Sequence, residues 1–205
     1  SIEPENTFNS KSYQSIMEVS KIAARHSAQI KGSKVIALAS STGGPKALQS
    51  VVPRLPKNLN APMVLVQHMP AGFTKSLAER LDSLGDITVT EAQEGDVLEK
   101  GHVYIAMGGK HMNVVTERGR CHIHYTDEPT REGVKPCANY MFESLEDSPF
   151  DEVLCVVMTG MGCDGTEGIE NLKKSRKTHV IAQEESTCAV YGMPRSIVQK
   201  NLADQ

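Results

Sequence analysis

The sequence predicts an α/β protein: a doubly wound, mostly parallel sheet in a three-layer, Rossmann-like arrangement, with an antiparallel hairpin at one edge. Short apolar runs rich in β-branched residues alternate with longer segments of helical periodicity. Strands buried on both faces read as continuous apolar runs, and parallel neighbours need helical crossovers between them. Several of these runs end abruptly in small or polar residues, as strands do where they leave a sheet at its carboxyl edge. Between about 101 and 125 the pattern changes to three short strand-like runs joined by Gly-containing turns, which predicts a local hairpin from about 111 to 125 set on the edge of the parallel sheet.

Taken in order, residues 1–33 are polar, with Ile16, Val19 and Ile22 at helical spacing. They read as a linker or an N-terminal docking helix, with Gly32-Ser33 as the boundary to one domain over 34–205. A strand is predicted at 35–39 and a helix at 45–53, then a strand at 62–67 and a helix at 74–84. After the hairpin region come a helix near 137–145, a strand at 153–158, a helix at 166–175, a strand near 179–182 and a closing helix at 194–202.

With 205 residues, 39% hydrophobic and 23% charged, the chain can build one substantial core. A net charge of -3 and a pI near 6.2 give no global reason to bind nucleic acid or an anionic membrane. No apolar stretch approaches the roughly 20 residues of a membrane helix, and no signal-peptide core is visible at the start. The five cysteines are scattered and form no C-x-x-C pair, the pattern of reduced thiols. A cytoplasmic protein with no membrane insertion is expected.

The stretch Ala39-Ser40-Ser41-Thr42-Gly43-Gly44-Pro45 joins the first strand to the first helix. Apart from Ala39 it fits G-x-S-x-G, a tight strand-to-helix turn that presents a Ser hydroxyl at a sheet edge. Gly-rich turns of this kind also bind phosphate or simply pack a helix on a sheet, so the stretch needs partners. Two other strand ends supply them: His68 follows the run 63–66, and Asp164 lies in the small-residue loop after 153–158. In open α/β sheets the carboxyl ends of neighbouring strands form the ligand crevice. A Ser hydroxyl is a poor nucleophile until an imidazole takes its proton, and a carboxylate must orient that imidazole. Ser41, His68 and Asp164 fill these roles, with backbone N–H groups at Thr42 or in the loop around Met161 available to hold an oxyanion.

Ser40-Ser41-Thr42-Gly43-Gly44, Gln67-His68-Met69-Pro70-Ala71-Gly72-Phe73-Thr74, Met158-Thr159-Gly160-Met161-Gly162-Cys163-Asp164-Gly165 and Ala189-Val190-Tyr191-Gly192-Met193-Pro194 resemble the motifs of the CheB protein-glutamate methylesterase catalytic domain, in register from about 34 to 202. The resemblance implies hydrolysis of glutamate methyl esters on the cytoplasmic helices of bacterial chemotaxis receptors, releasing methanol, and in many members deamidation of receptor glutamines. It puts Ser41 on the nucleophile, His68 on the base, Asp164 on the third member, and Thr42 and Met161 on the oxyanion and substrate positions. It also implies a receiver domain or histidine kinase as a regulatory partner, and calls for no cofactor.

Two departures stand out. Lys135-Pro136-Cys137-Ala138-Asn139 replaces the usual Arg-Pro-Ser-Val-Asp, losing a guanidinium fork and a carboxylate, so a change in substrate choice or packing is expected there. Cys163 is expected to be a buried, inert thiol beside Asp164. Elsewhere, His122 and His124 have the spacing of a metal pair but lack further ligands, and Met107-Gly108-Gly109-Lys110 lacks the spacing of a P-loop. The competing functional readings are a non-catalytic module docking to a receptor or kinase and, more weakly, a nucleotide-binding domain, which would want an acidic residue about 20 positions after the glycines.

Overall fold

The structure is a computed structural model that describes residues 32–205; the linker or docking helix expected over 1–33 lies outside the described residues except for Gly32 and Ser33. Six strands, β1 (Lys34–Ser40), β2 (Met63–Gln67), β3 (Thr88–Glu91), β4 (His102–Ile105), β7 (Glu152–Val157) and β8 (Thr178–Ala182), form one sheet in the order β3-β4-β2-β1-β7-β8. All of its pairings are parallel. A second, two-stranded antiparallel sheet is made of β5 (His111–Glu117) and β6 (Arg120–Thr126). The helices are α1 (Gly44–Val51), α2 (Phe73–Asp82), α3 (Ala138–Ser144), α4 (Thr166–Ser175) and α5 (Met193–Gln199).

Alternation along β1 divides the core in two. Ile36 and Leu38 face Leu48 and Val51 of α1 and Leu77 and Leu81 of α2. Val35, Ala37 and Ala39 face the opposite layer, where Met141 and Phe142 of α3, Ile169 and Leu172 of α4, and Met193 and Ile197 of α5 pack. Both faces of β1 are therefore covered, which is why its run is apolar throughout. Burying each such Leu, Ile, Val or Met contributes about 1.5–3 kcal/mol.

The hairpin forms as expected, but it is a sheet of its own. Met112, Val114, Cys121 and Ile123 on its inner face enter the α3–α5 side of the core beside Tyr104 and Ala92. It is tied to the β3–β4 end by loop contacts, including the Tyr125 hydroxyl donating to Ala92 O and Gly95 N–H donating to Ile123 O. β3 has no counterpart in the expected elements. Only Val89 of its four residues is buried, so its periodicity is too short to read, and its strand geometry comes from pairing with β4.

The strand order places the switch in winding beside β1. From β1 the chain crosses through α1 to β2 on one side, and the strand on the other side, β7, is reached only after α3 on the opposite face. The loops after β1, β2 and β7 thus leave the same edge of the sheet side by side, at the position where α/β folds carry ligand sites. No helix among the described residues is long and apolar enough to cross a membrane.

Candidate active site

Ser41 is the first residue beyond β1, and its place is set by backbone pairing on both sides. Ser41 N–H donates to Thr159 O at 2.9 Å, and His68 N–H donates to Ser40 O at 3.0 Å. These bonds continue the β1–β7 and β1–β2 ladders past the last strand residues. The turn that follows needs Gly43 at φ 81°, a conformation that costs an L side chain free energy, before Gly44 and Pro45 open α1. Behind Ser41, a Cβ at Gly160 would stand 2.8 Å from Ser41 Cβ and 2.3 Å from Met193 Sδ, so only glycine lets the β7 loop approach this closely.

Gln67, the last residue of β2, ties together the ends of β1 and β2, a link not visible in the sequence. It is buried, accepts the Ser40 hydroxyl at Oε1 (2.7 Å), and donates from Nε2 to Ser41 O (2.9 Å) and His68 O (3.1 Å). One amide thereby pins both the Ser41 turn and the His68 backbone. The available signal was a polar residue ending an otherwise apolar strand. Thr159, also buried, donates its hydroxyl to Thr42 O at 2.9 Å and accepts Val190 N–H at 3.0 Å, joining the Ser41 turn to the loop before α5.

His68 and Asp164 meet directly: His68 Nε2 lies 2.7 Å from Asp164 Oδ2. His68 is half-buried, whereas Asp164 is 2% exposed. The carboxylate accepts three further hydrogen bonds, from Ala138 N–H to Oδ2 (2.6 Å), from Asn139 N–H to Oδ1 (2.9 Å) and from the Cys137 thiol to Oδ1 (3.1 Å). Burial alone would raise the Asp164 pKa, but bonds from His68, Ala138, Cys137 and Asn139 together hold it below the ordinary carboxylate range. Burial and the adjoining carboxylate push the Cys137 thiol up to about 12, so it stays protonated and remains a donor.

The altered corner at 135–139 is thus the seat of Asp164. Its buried Asn139 uses Oδ1 to accept Gly165 N–H (3.0 Å) and Gly168 N–H (2.7 Å), capping the start of α4 just after Asp164. Asn139 Nδ2 has no partner among the described residues. The expectation for Cys163 is corrected: it is exposed, with its thiol donating to Glu132 Oε2 at 3.2 Å. The buried thiol beside Asp164 is Cys137. Consecutive loop residues point opposite ways here, so adjacency in sequence misassigned the contact.

Ser41 is half-buried, and its hydroxyl has no protein hydrogen-bond partner among the described residues. Thr42 and Met161, the latter 70% exposed, flank it on the β1 and β7 loops, and the N–H of neither donates to a protein acceptor among the described residues. The arrangement leaves a hydroxyl without a protein partner at the end of β1, and an imidazole oriented by Asp164 at the end of the neighbouring β2.

Other candidates from the sequence fall elsewhere. His124 pairs with Glu94 at 2.9 Å and His122 lies 3.8 Å from Glu117. Among the described residues no group of three or more His, Cys, Asp or Glu is placed to hold a metal ion.

Comparison with known proteins agrees in extent with this geometry. The CheB methylesterase family model matches residues 36–205. A Bacillus licheniformis protein named protein-glutamate methylesterase/protein-glutamine glutaminase is 47% identical over 84% of this chain and 48% of its own length. A Pseudomonas putida protein of the same name, from a group 1 operon, is 52% identical over 83% of this chain and 45% of its own length. The chain therefore spans about half the length of the curated relatives it matches. The crystal structure of the Thermotoga maritima CheB methylesterase catalytic domain superposes with a TM-score of 0.80 at 40% identity, over 84% of this chain and 90% of that one. The chain belongs to the CheB methylesterase family.

Proposed function

We propose that the chain is a serine hydrolase that removes methyl esters from glutamate side chains of chemotaxis receptors, and that the same site deamidates receptor glutamines. The observation that carries this reading is the 2.7 Å bond from His68 Nε2 to a buried, four-donor carboxylate, one strand away from a Ser hydroxyl with no protein hydrogen-bond partner among the described residues. The relatives' double name supports both substrates.

With Nε2 bound to Asp164, Nδ1 is the ring nitrogen left to take the Ser41 proton. Ser41 Oγ then bonds to the ester carbonyl carbon, and the carbonyl electron pair moves onto its oxygen, held by the Thr42 and Met161 N–H groups. Collapse breaks the bond to methoxide, which takes the proton from His68 and departs as methanol. Water, deprotonated by His68, attacks the acyl-enzyme, and the Ser41–acyl bond breaks as His68 returns the proton to Ser41 Oγ, releasing glutamate. With glutamine the leaving group takes the same proton and departs as ammonia. Asp164 stays ionised throughout and stabilises the imidazolium.

The substrates are cytoplasmic helices of methyl-accepting receptors, and a receiver domain or histidine kinase is the regulatory partner. Methanol release from methylated receptor fragments, compared between this chain and Ser41→Ala, tests the reading, with the mass of a glutamine-bearing fragment reporting deamidation. Loss of release in Ser41→Ala supports it. A folded chain that binds a receptor but releases no methanol is the docking module instead.

A further inference from the structure

His111 is a fully buried histidine at the start of β5, outside the site just described. Its two ring nitrogens close the base of the 127–137 segment. Nε2 lies 3.2 Å from Pro129 O, which can only accept, so Nε2 carries the proton. Nδ1 lies 3.2 Å from Cys137 N, whose N–H can only donate, so Nδ1 is the bare acceptor. The tautomer is therefore set by its neighbours, and Tyr140 of α3 packs edge-on at 4.7 Å to hold the ring plane. The residue that His111 seats is the first of three consecutive residues that donate to Asp164.

We propose that His111 is a positioning residue for the hydrolase reaction: by accepting the Cys137 N–H it registers the Cys137–Asn139 corner against Asp164, and so aims that carboxylate at His68. This rests on the hydrolase reading given above. The segment has a second anchor, since Arg131 pairs with Glu143 of α3 and Glu167 of α4, each at 2.7 Å, and its guanidinium lies over the Tyr140 ring at 5.3 Å. Among the described residues Arg131 makes no hydrogen bond to a donor to Asp164, whereas His111 accepts the Cys137 N–H directly. The charged groups around the ring are Lys135 and Glu128, both from the 127–137 segment. Burial and Lys135 favour the neutral ring, the form whose Nδ1 can accept.

The test compares His111→Phe, which keeps a ring against Tyr140 but removes both hydrogen bonds, with His111→Asn, whose Oδ1 can accept near the position of Nδ1. Methanol release gives kcat and KM, and carbon-detected NMR gives the titration of the Asp164 carboxyl. The expected result for His111→Phe is a fall in kcat of up to about 100-fold with KM little changed, because a displacement of about 1 Å in a catalytic array costs that much. The Asp164 titration moves upward, because donors to the carboxylate are loosened. His111→Asn recovers most of the rate and returns the titration toward wild type.

The proposal is overturned if His111→Phe leaves the Asp164 titration where it was, or if its molecules that still label with a fluorophosphonate turn over at the wild-type rate. Should His111→Phe not fold, His111→Gln replaces it, since its longer amide can reach Pro129 but not the Cys137 N–H. An impaired Gln variant beside an active Asn variant supports the proposal, and the reverse order sinks it. If wild type releases no methanol, the hydrolase reading fails separately, and the Asp164 titration alone decides whether His111 registers the corner.

Discussion

Ser41 and Asp164 follow neighbouring strands, β1 and β7, and are built in opposite ways. Ser41 is half-buried, placed through its backbone by two strand ladders and the Gln67 amide, and its hydroxyl has no protein partner among the described residues. Asp164 is buried and placed through its side chain, which accepts four donors from His68 and the Cys137–Asn139 corner. In the proposed mechanism, the hydroxyl that forms a bond to substrate is the one left uncommitted. A carboxylate that must stay ionised while buried is saturated with donors, because an unpaired buried charge is very costly. The same edge of one sheet therefore carries one group placed through its backbone and another placed through its side chain.

That contrast predicts different penalties for removing each group. Ser41→Ala should lower methanol release by about 10^4-fold or more, with unfolding free energy within about 0.5 kcal/mol of wild type. Asp164→Ala should also abolish turnover, and should cost about 3 kcal/mol of stability by leaving several buried donors without an acceptor. Urea unfolding of both variants checks this, and equal destabilisation would break the comparison.

Gln67→Ala probes the link between the two sides. It removes three hydrogen bonds from a buried site, so a loss of about 2 kcal/mol is expected together with reduced kcat, since the Ser41 turn and the His68 backbone lose their common tie. Loss of stability with kcat unchanged would show that the strand ladders alone hold Ser41.

The smallest effect is in the response to acid. The folded-state pKa of Asp164 lies below its unfolded value of about 3.9. The unfolded state therefore binds the proton first, and the stabilisation is complete above about pH 4 and lost as pH falls through the lower folded value. Unfolding midpoints of wild type and Asp164→Asn should converge as pH falls below about 4. A gap that stays constant down to pH 3 would mean that the donors do not favour the ionised form.

Much of this site was readable without coordinates. β1, β2 and β7 are buried on both faces, so each is an unbroken apolar run, and the point where the run stops locates Ser41, His68 and the loop to Asp164. The expected helix at 166–175 matches α4, whose stripe of Ile169 and Leu172 and basic last turn are local signals. Less was readable where burial depends on distant segments. β3 offers only Val89 to the core, and Gln67 looks like an ordinary strand end until its three partners are placed. Cys163, expected to be buried beside Asp164, is exposed, and Cys137 holds that place, because nothing local says which thiol the fold turns toward Asp164.

By itself, the sequence determined the parallel α/β architecture and the three strand ends that carry Ser41, His68 and Asp164, since apolar periodicity and its interruption are encoded within a few residues of one another. Only the tertiary structure decided what surrounds them: the Gln67 amide across from Ser41, the Cys137–Asn139 donors on Asp164, and His111 beneath that corner. Those contacts join residues some 25 or more positions apart. A hydrogen-bonding side chain is the same in sequence whether it meets water or a buried carboxylate, and packing of the whole chain makes that choice.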